Sequence, residues 1–390
     1  MAPSTTEPPP AAGPLGLYLH VPYCAEKCPY CTFFLTTNLS TVARFLGALE
    51  REVELWAAAL PEGERRADTA FFGGGTPSLL DGGQIGRLLD KLRDRLQLSG
   101  DAEVTLETNP ETVTPAAAEA WLGAGVTRFS LGVQSLRAAE LRLLGRTHSA
   151  AEAETAARTL RAAGARDLSL DLIAGLPGQT PARWAETLDR TLAWEADHLS
   201  VYLLELDKPT PLGHAIRRGE LPAPDPAAQA DIYAHARERL TAHGYRQYEI
   251  SNFARPGRES LHNAKYWTGA PYLGLGPAAH GYRAGERLAN PPRFHGYLRA
   301  LESGTLPVVV QEPFVPERRL EEALFLGLRR VEGVDLEALA RRYGIPVRDR
   351  YREALASLVA DGLCRQQQTR LTLTPTGQLQ ANEVSLRFLS

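Results

Sequence analysis

The sequence of 390 residues lacks an apolar run of membrane-spanning length, an excess of either charge, and a cysteine-rich framework. A spanning helix needs about 18 apolar residues in succession, so we expect no integral membrane segment. Lysine and arginine number 43 against 46 acidic residues, which gives no general attraction to nucleic acid or anionic membranes. The opening MAPSTTEPPPAAGP lacks the basic flank and apolar core of a secretory signal, so we expect a cytoplasmic protein.

The four cysteines are too few for a secreted disulfide scaffold, and three of them lie in one short segment, CAEKCPYC: Cys24, Cys28 and Cys31. Three thiols in one loop indicate a metal site. A structural zinc site uses four protein ligands, and the remaining Cys364 is distant in sequence. Three thiolates suit a 4Fe–4S cluster with one iron left open to an external ligand. A zinc half-site or a group of buried thiols is the alternative.

Short apolar runs alternate with longer amphipathic segments over the first half of the chain. The runs cover residues 16–22, 68–74, 103–109, 127–133, 167–173 and 198–204. This alternation predicts six parallel strands joined by helices, the pattern of an α/β fold. Six units are too few to close an eightfold barrel, so we expect an open, partial (β/α)6 barrel or a doubly wound sheet.

The rest of the chain has shorter and less regular patterns. We expect a helix near 228–242, a strand at 245–251 and loops over 254–296. Near the C-terminus, helices followed by a short hairpin are typical of a winged-helix-like domain. The predicted divisions are therefore a disordered Pro/Ala-rich tail (1–15), the partial barrel (16–207), an extension of the barrel (208–312) and a mainly helical C-terminal domain (313–390).

Polar and glycine-rich residues come at the ends of the predicted strands. The cysteines follow the first strand, and Gly73–Thr76 follow the second. Glu107, Gln134 and Asp171 lie in or at the ends of the third, fourth and fifth strands. Because parallel α/β folds form their active sites at the carboxyl ends of the strands, this pattern predicts an enzyme or a cofactor-binding protein.

The segments HVPYCAEKCPYC and FGGGTPS resemble the cysteine loop and the glycine-rich segment of the radical S-adenosylmethionine (SAM) superfamily. This resemblance implies that Cys24, Cys28 and Cys31 hold a 4Fe–4S cluster whose open iron binds SAM. Further matches resemble the coproporphyrinogen III dehydrogenase-like branch of that superfamily. They imply a SAM pocket formed by Tyr18, Tyr30, Gly74, Gly75, Thr76, Glu107, Gln134, Arg146 and Asp171.

Within that branch, HNAKYW at 262–267 is similar to the H-N-x-x-Y-W motif of the HemW family of haem chaperones. The resemblance implies haem binding by His262, Asn263, Tyr266 and Trp267, and delivery of the haem to acceptor haemoproteins. Phe33 occupies the position of a fourth cysteine in the dehydrogenases, and only a short tail precedes the first strand. Both features favour the chaperone. They do not decide whether the protein cleaves SAM. The alternative is an oxygen-independent coproporphyrinogen III dehydrogenase, which uses radical SAM oxidative decarboxylation in haem biosynthesis.

The haem-binding motif has a physical rationale, because imidazole is a common axial ligand of haem iron and aromatic rings pack against porphyrins. A hydrogen-bonded His262 within a small aromatic core is the alternative. His280 is a second candidate ligand, and Arg255 and Arg258 are candidates to meet the haem propionates. Thr32 departs from the family, which often has an acidic residue after the third cysteine.

Two rival functions come from other classes. A radical SAM enzyme that modifies RNA needs a basic surface, but residues 313–390 hold 12 arginines against 10 acidic residues with no clear basic stripe. We therefore expect no nucleic-acid partner. A binding module with a purely structural cluster does not explain the open iron. By resemblance, the expected acceptors are haemoproteins such as respiratory cytochromes, with peripheral contact to the inner membrane only through such a partner.

Overall fold

The computed structural model describes residues 13–206, 209–310 and 315–389, and its central feature is a sheet of twelve strands. Six parallel strands pair in chain order at the centre of this sheet: β1 (Leu15–Val21), β2 (Ala67–Gly74), β3 (Leu98–Thr108), β4 (Arg128–Gln134), β5 (Asp167–Ala174) and β6 (His198–Leu203). The described strands leave the two edges of the sheet unpaired with each other, so the predicted open, partial barrel is confirmed.

Six helices lie between these strands: α1 (Val42–Ala59) after β1, α2 (Gly82–Leu96) after β2, α3 (Pro115–Ala124) after β3, α4 (Ala138–Leu143) and α5 (Ala150–Ala163) after β4, and α6 (Pro181–Leu192) after β5. Single 3-10 turns lie at Leu39–Thr41, Glu62–Glu64, Pro77–Leu79 and Pro110–Thr112. Capping boxes begin two of the helices, with Asp81 and Gln84 at α2 and Ser149 and Glu152 at α5. These side chains satisfy amide groups that a helix N-terminus otherwise leaves unpaired.

Side chains alternate between the two faces of each central strand, as the two-residue period of a strand requires. In β1, Leu17, Leu19 and Val21 are fully buried in the main hydrophobic core with α1 and α2. Tyr18 and His20 lie on the opposite, inner face of the same strand. The helices thus cover the apolar outer face, and the inner face is left with polar residues and glycines around a central space.

Shorter strands extend both edges of the sheet. Beyond β6 lie β8 (Asn252–Ala254) and β7 (Arg246–Gln247), both in antiparallel pairs. Beyond β1 lie β9 (Tyr272–Leu275), which is parallel to β1, and then the antiparallel strands β10 (His280–Arg283), β11 (Glu286–Ala289) and β12 (Val309–Val310). The helices of this region are α7 (Pro211–Arg217), α8 (Pro226–Ala242), α9 (Leu261–Thr268) and α10 (Phe294–Glu302).

Two predictions for this region were wrong. The strand expected at 245–251 is instead the short hairpin of β7 and β8, and the loops expected over 254–296 contain α9, the strands β9 to β11 and the start of α10. Each of these strands has four residues or fewer, and glycine and proline separate them. Such short segments lack a readable periodicity, and they are regular because they pair with the edges of an existing sheet.

The C-terminal part has a hydrophobic core of its own, which includes Leu320, Leu324, Leu336, Leu358 and Phe388. Its helices are α11 (Pro316–Leu328), α12 (Leu336–Tyr343), α13 (Val347–Arg350), α14 (Arg352–Ala360), α15 (Pro375–Leu379) and α16 (Ala381–Leu386). Its three-stranded sheet has β15 (Arg370–Leu373) between β13 (Val334–Asp335) and β14 (Cys364–Gln367). The expected helices and hairpin are therefore present.

The predicted domain boundaries stay predictions. Most of the Pro/Ala-rich tail, the boundary at 207/208 and the boundary at 312/313 lie outside the described residues. Within the ranges that are described, no helix is long and apolar enough to cross a membrane.

A buried carboxyl group joins α1 to the β9–β11 edge of the sheet. Glu52 is fully buried, and it accepts hydrogen bonds from the Gly276 amide (2.8 Å), the Asn290 side-chain amide (2.6 Å) and the Tyr297 hydroxyl (2.7 Å). Burial raises the pKa of Glu52 from 4.5 to about 7, against the lowering effect of these three donors. The packing of α1 against the segments that follow β9 thus depends on one titratable group, Glu52.

Glu52 should make the stability of the fold depend on pH. Between pH 4.5 and about 7 the folded chain retains a proton that the unfolded chain loses. The contribution of Glu52 to the free energy of unfolding is therefore complete below pH 4.5 and lost as the pH rises through 7. We expect Glu52→Gln to flatten this dependence by roughly 2 kcal/mol in urea denaturation between about pH 5 and pH 7.5.

The matched control is Glu50→Gln on the same helix, which should retain the slope of the wild type. A Glu52→Gln variant with the same pH dependence as the wild type would contradict this assignment.

Candidate functional site

A cavity of about 1310 Å³ opens at the carboxyl ends of the central strands and is bounded on one side by the C-terminal domain. This volume exceeds the roughly 300–1000 Å³ of a typical pocket for one small molecule. Most of the residues singled out from the sequence line it: Cys24, Cys28, Tyr30, Cys31, Gly74, Gly75, Thr76, Glu107, Gln134, Arg146, Asp171, Asn263, Tyr266 and Trp267. Tyr18 and His262 are not among the lining residues.

The three cysteines lie in the loop between β1 and α1, and none forms a disulfide. The Cys24 amide donates to the Thr36 carbonyl (3.1 Å), which joins the two ends of the loop, and the Cys31 amide donates to the Cys28 carbonyl (3.1 Å), which forms a turn within it. The Thr76 hydroxyl donates to the Cys24 sulfur at 3.4 Å. Burial raises the pKa of the Cys24 and Cys31 thiols, so the metal-free loop holds thiols rather than thiolates.

This thiol arrangement suits a multi-iron cluster better than a single ion. Within the described ranges, no group of three or more His, Cys, Asp or Glu side chains is placed to bind one metal ion. Ligands of a single zinc ion each lie about 2 Å from it and are therefore close to one another. The thiolates of a 4Fe–4S cluster bind different irons and surround a larger object. Three thiols on one cavity wall are compatible with this larger group, and bonding to its irons would deprotonate them.

The glycine segment after β2 is required by close packing against β1. Gly74 has a φ of 113°, and a Cβ atom there would lie 2.6 Å from the His20 ring. A Cβ atom on Gly75 would lie 2.5 Å from the Tyr23 carbonyl oxygen. The segment therefore has no room for side chains, and its backbone lines the cavity directly.

Two half-buried carboxyl groups, Glu107 on β3 and Asp171 on β5, face the same space. Glu107 accepts from the Gly74 amide (3.1 Å), and Asp171 accepts from the Ser130 (2.7 Å) and Ser169 (3.3 Å) hydroxyls. Burial, with the nearby Asp171 charge, raises the pKa of Glu107 to about 8, and burial raises the pKa of Asp171. A positively charged ligand would favour the ionised form of both groups, so this pair fits the sulfonium and ammonium of SAM.

Gln134 at the end of β4, the strand between β3 and β5, and Arg146 in the segment after α4 line the same cavity. Gln134 has a φ of 63°, and the pairing with β5 is irregular at this residue, so the backbone is bent where it meets the cavity. The Arg146 guanidinium donates to the Asn109 side-chain oxygen (2.7 Å) and the Gly132 carbonyl (3.1 Å), and it lies 3.9 Å from the Cys28 sulfur. Sequence reasoning missed Asn109, although the residue directly follows β3.

The two tyrosines of the predicted SAM set lie in different surroundings. Tyr30 lines the cavity and packs on the small apolar cluster of Leu144, Ile173 and Leu176. The Tyr18 hydroxyl is hydrogen-bonded to the His20 ring (3.0 Å), and its ring packs beside Phe71. Burial raises the pKa of both phenols.

The haem-motif residues form helix α9, so the expectation of a loop there was wrong. Ser260 caps its first turn, and Gly269, with a φ of 67°, ends it. The Glu103 carboxylate accepts from the backbone amides of Leu261 (3.1 Å) and His262 (2.9 Å). A helix of eight residues is unstable alone, and this one depends on an acceptor 159 residues earlier in the chain.

His262 lies on the face of α9 that packs against the sheet. Its Nδ1 is hydrogen-bonded to the Thr69 hydroxyl (2.8 Å) and its Nε2 to the Tyr266 hydroxyl (2.9 Å), and its ring stacks on Phe71 with 5.2 Å between centroids. Burial, with the nearby Lys265 charge, lowers the pKa of His262 to about 3. The imidazole is therefore neutral, and both nitrogens are engaged. No histidine is found among the described residues that line the cavity.

The remaining candidates for haem contacts lie elsewhere. Arg258 pairs with Asp167 (2.9 Å), Arg255 stacks over the Tyr245 ring (4.9 Å), and His280 is exposed at the start of β10. None of the three lines the cavity. The cation that does line it beside α9 is Arg329, which the sequence analysis did not single out. It lies in the segment LEEALFLGLRR, in which the apolar residues of α11 are followed by two adjacent arginines.

Two family models match this chain. The radical SAM superfamily model matches residues 18–191, and the HemN C-terminal domain model matches residues 315–379. Among solved structures, coproporphyrinogen III oxidase (HemN) from Escherichia coli, described as a radical SAM enzyme, superposes with a TM-score of 0.83 at 25% identity. That match covers 96% of this chain and 90% of the HemN chain.

Curated relatives match over nearly the full length. A protein of Mycobacterium tuberculosis named "Heme chaperone HemW" is 39% identical over 95% of this chain and 94% of the relative. The protein of the same name from Bacillus subtilis is 34% identical over 95% of this chain and 98% of the relative. The cysteine loop and the α9 motif line one cavity, as described above. Together with these matches, they show that the chain belongs to the HemW family of haem chaperones within the radical SAM superfamily.

Proposed function

We propose that this protein binds haem and delivers it to acceptor haemoproteins, and that it carries a 4Fe–4S cluster and SAM. The observation that carries the proposal is the shared cavity, in which the cysteine loop and the aromatic side chains of α9 line one space. Its volume suits more than one small ligand. The names of the full-length relatives support the same function.

Cys24, Cys28 and Cys31 would hold the cluster, with Thr76 and Arg146 as hydrogen-bond donors beside two of the sulfurs. Such donors tune a cluster and stabilise thiolate charge. Phe33, two residues beyond the third cysteine, is 59% exposed and supplies no thiol. Three cysteines would leave one iron of the cluster without a protein ligand, and a cluster with bound SAM would supply one-electron chemistry.

SAM would lie between the cysteine loop and the carboxyl ends of β2 to β5. The backbone of Gly74 and Gly75 gives close access, and Glu107 and Asp171 supply negative charge for the cationic groups of SAM. Gln134 and Tyr30 complete the walls, and Tyr18 supports the inner face through His20 and Phe71. These side chains bind and orient SAM, and we assign none of them a catalytic role.

Haem would contact the cavity face of α9. Asn263, Tyr266 and Trp267 line the cavity, and the two aromatic rings offer broad surfaces to a porphyrin. His262 acts beneath them, because its hydrogen bond to the Tyr266 hydroxyl fixes that ring. Ligation of iron by His262 requires the loss of this bond or of the bond to Thr69. The acceptors would be haemoproteins such as respiratory cytochromes.

The first prediction concerns the cluster. After anaerobic reconstitution, a Cys24→Ala, Cys28→Ala, Cys31→Ala variant should lose the bound iron and sulfide, because no other thiol of the described chain lines the cavity. Haem transfer to an acceptor should fall with it. The measurement is iron and sulfide content, with transfer followed by absorbance.

Cys364→Ala is the matched control, since this buried cysteine lies in β14 of the C-terminal domain. It should retain the cluster. Normal haem delivery by the triple variant would contradict the proposed dependence on the cluster.

The second prediction concerns α9. Haem titration of the reconstituted protein should show one bound haem, and His262→Ala should weaken the affinity about tenfold or more, the usual cost of losing a ligand or its positioning partner. Tyr266→Phe removes the same hydrogen bond and should weaken binding in part. His214→Ala, on the exposed surface of α7, is the control. An unchanged affinity in His262→Ala would remove this residue from the haem site.

The third prediction separates the chaperone from the dehydrogenase. With SAM and a reductant, the reconstituted protein should not convert coproporphyrinogen III, whereas a HemN enzyme in the same assay should. Robust conversion by this protein would overturn the chaperone and make it the biosynthetic enzyme.

A further inference from the structure

The wall of the cavity away from the cysteine loop carries an arginine with an unusual set of contacts. Arg329 directly follows α11, and its carbonyl accepts from the Ile250 amide (3.1 Å), which joins the C-terminal domain to the barrel. Its guanidinium carbon lies 4.7 Å from the centre of the Trp267 ring. The backbone and the stacked indole thus hold this guanidinium at the cavity wall beside α9.

This guanidinium has an ion-pair partner, Glu249, but no acceptor at hydrogen-bond distance among the described residues. No hydrogen bond from the Arg329 side chain reaches any described residue, and its Nε is buried without a partner. The indole Nε1 of Trp267 is also buried and unpartnered. Arg329 forms a loose ion pair with Glu249, whose Oε2 lies 3.6 Å from Nη2, too long for a hydrogen bond, and is itself buried without a hydrogen-bond partner. Because unpaired buried donors cost free energy, these groups indicate a missing acceptor, such as a ligand.

The charges around the cavity identify the ligand group. Among the described lining residues the cations are Arg146 and Arg329. Arg146 already donates to Asn109 and Gly132 and lies beside Cys28. Arg329 is therefore the cation that remains for an anionic ligand, and a planar guanidinium binds carboxylates in a bidentate manner.

We propose that Arg329 binds a propionate carboxylate of the haem, with Trp267 as the platform on which the guanidinium and the porphyrin edge are aligned. This inference rests on the proposed haem-binding function and adds to it the residue that recognises the acidic side chains of a tetrapyrrole. Arg329 is a binding residue here, and it replaces Arg255 and Arg258 in that role.

Glu249 modulates this contact. Its buried carboxyl accepts from the Ser251 amide (2.8 Å), and its other oxygen faces Arg329. The carboxyl therefore competes with a ligand carboxylate for the same guanidinium. Removal of its charge should strengthen the binding of the acidic ligand, an effect opposite in sign to removal of Arg329.

The test compares haem with haem dimethyl ester, in which both carboxylates are blocked. The wild type should bind the free acid about tenfold or more tightly than the diester, the size expected for a charge-assisted hydrogen bond. Arg329→Met should lose this preference, and Glu249→Gln should increase it. The matched control is Arg330→Met, since the neighbouring Arg330 pairs with Glu332 and does not line the cavity.

The SAM carboxylate is the other acidic group that this cavity would meet, so SAM affinity is measured in the same variants and should not change in Arg329→Met. Equal affinity of the wild type for haem and its dimethyl ester would overturn the inference while leaving haem binding intact. An Arg329→Met variant that still prefers the free acid, or that loses affinity for SAM instead, would overturn it as well. A wild type that binds neither porphyrin would overturn the proposed function as well. The wild-type comparison needs no substitution and stays valid if a variant does not fold.

Discussion

The two faces of the central sheet have opposite chemistry, and the rest of the molecule depends on this difference. Leucine, valine and phenylalanine cover the outer face, and helices bury them, as Leu19, Phe72 and Leu106 illustrate. The inner face carries glycine, serine, threonine and carboxyl groups, which no helix can cover without loss of hydration. The sheet therefore curves around a space that must hold water or ligands. Short strands at its edges and α9 at the amino ends of β1 to β3 limit that space.

Electrostatics then divide the cavity into two regions. Near the cysteine loop, Glu107 and Asp171 are half-buried and form no ion pair with a described lysine or arginine, and burial raises their pKa values. This region is suited to a cation. At the wall beside α9, Arg329 stacks on Trp267 in a loose ion pair with Glu249, and its buried Nε has no hydrogen-bond acceptor, so this region is suited to a carboxylate. A cationic cofactor and an acidic tetrapyrrole would therefore favour different walls of one cavity.

The C-terminal domain takes part in the site as well as in the fold. Residues 378–382 line the cavity, and the Tyr233 hydroxyl donates to the Gln378 side chain at 3.1 Å. The backbone pairing of Glu249 with Arg330 and the hydrogen bond from the Ile250 amide to the Arg329 carbonyl fix the end of α11 against the segment between β7 and β8. Similarity to HemN extends over this arrangement. A shared scaffold establishes the fold, and by the general rule function resides in the site rather than in the fold.

The sequence by itself determined the six central strands, the open barrel and the group of residues at the strand ends, because two- and 3.6-residue periods and local motifs are written in adjacent residues. It also identified the three cysteines and the glycine segment. Only the tertiary structure decided that HNAKYW is a helix, since Glu103 supplies its N-terminal acceptor from 159 residues away. The same holds for the burial of His262 against Thr69 and for Arg329 over Trp267. These contacts join segments distant in the chain, and no local pattern encodes them.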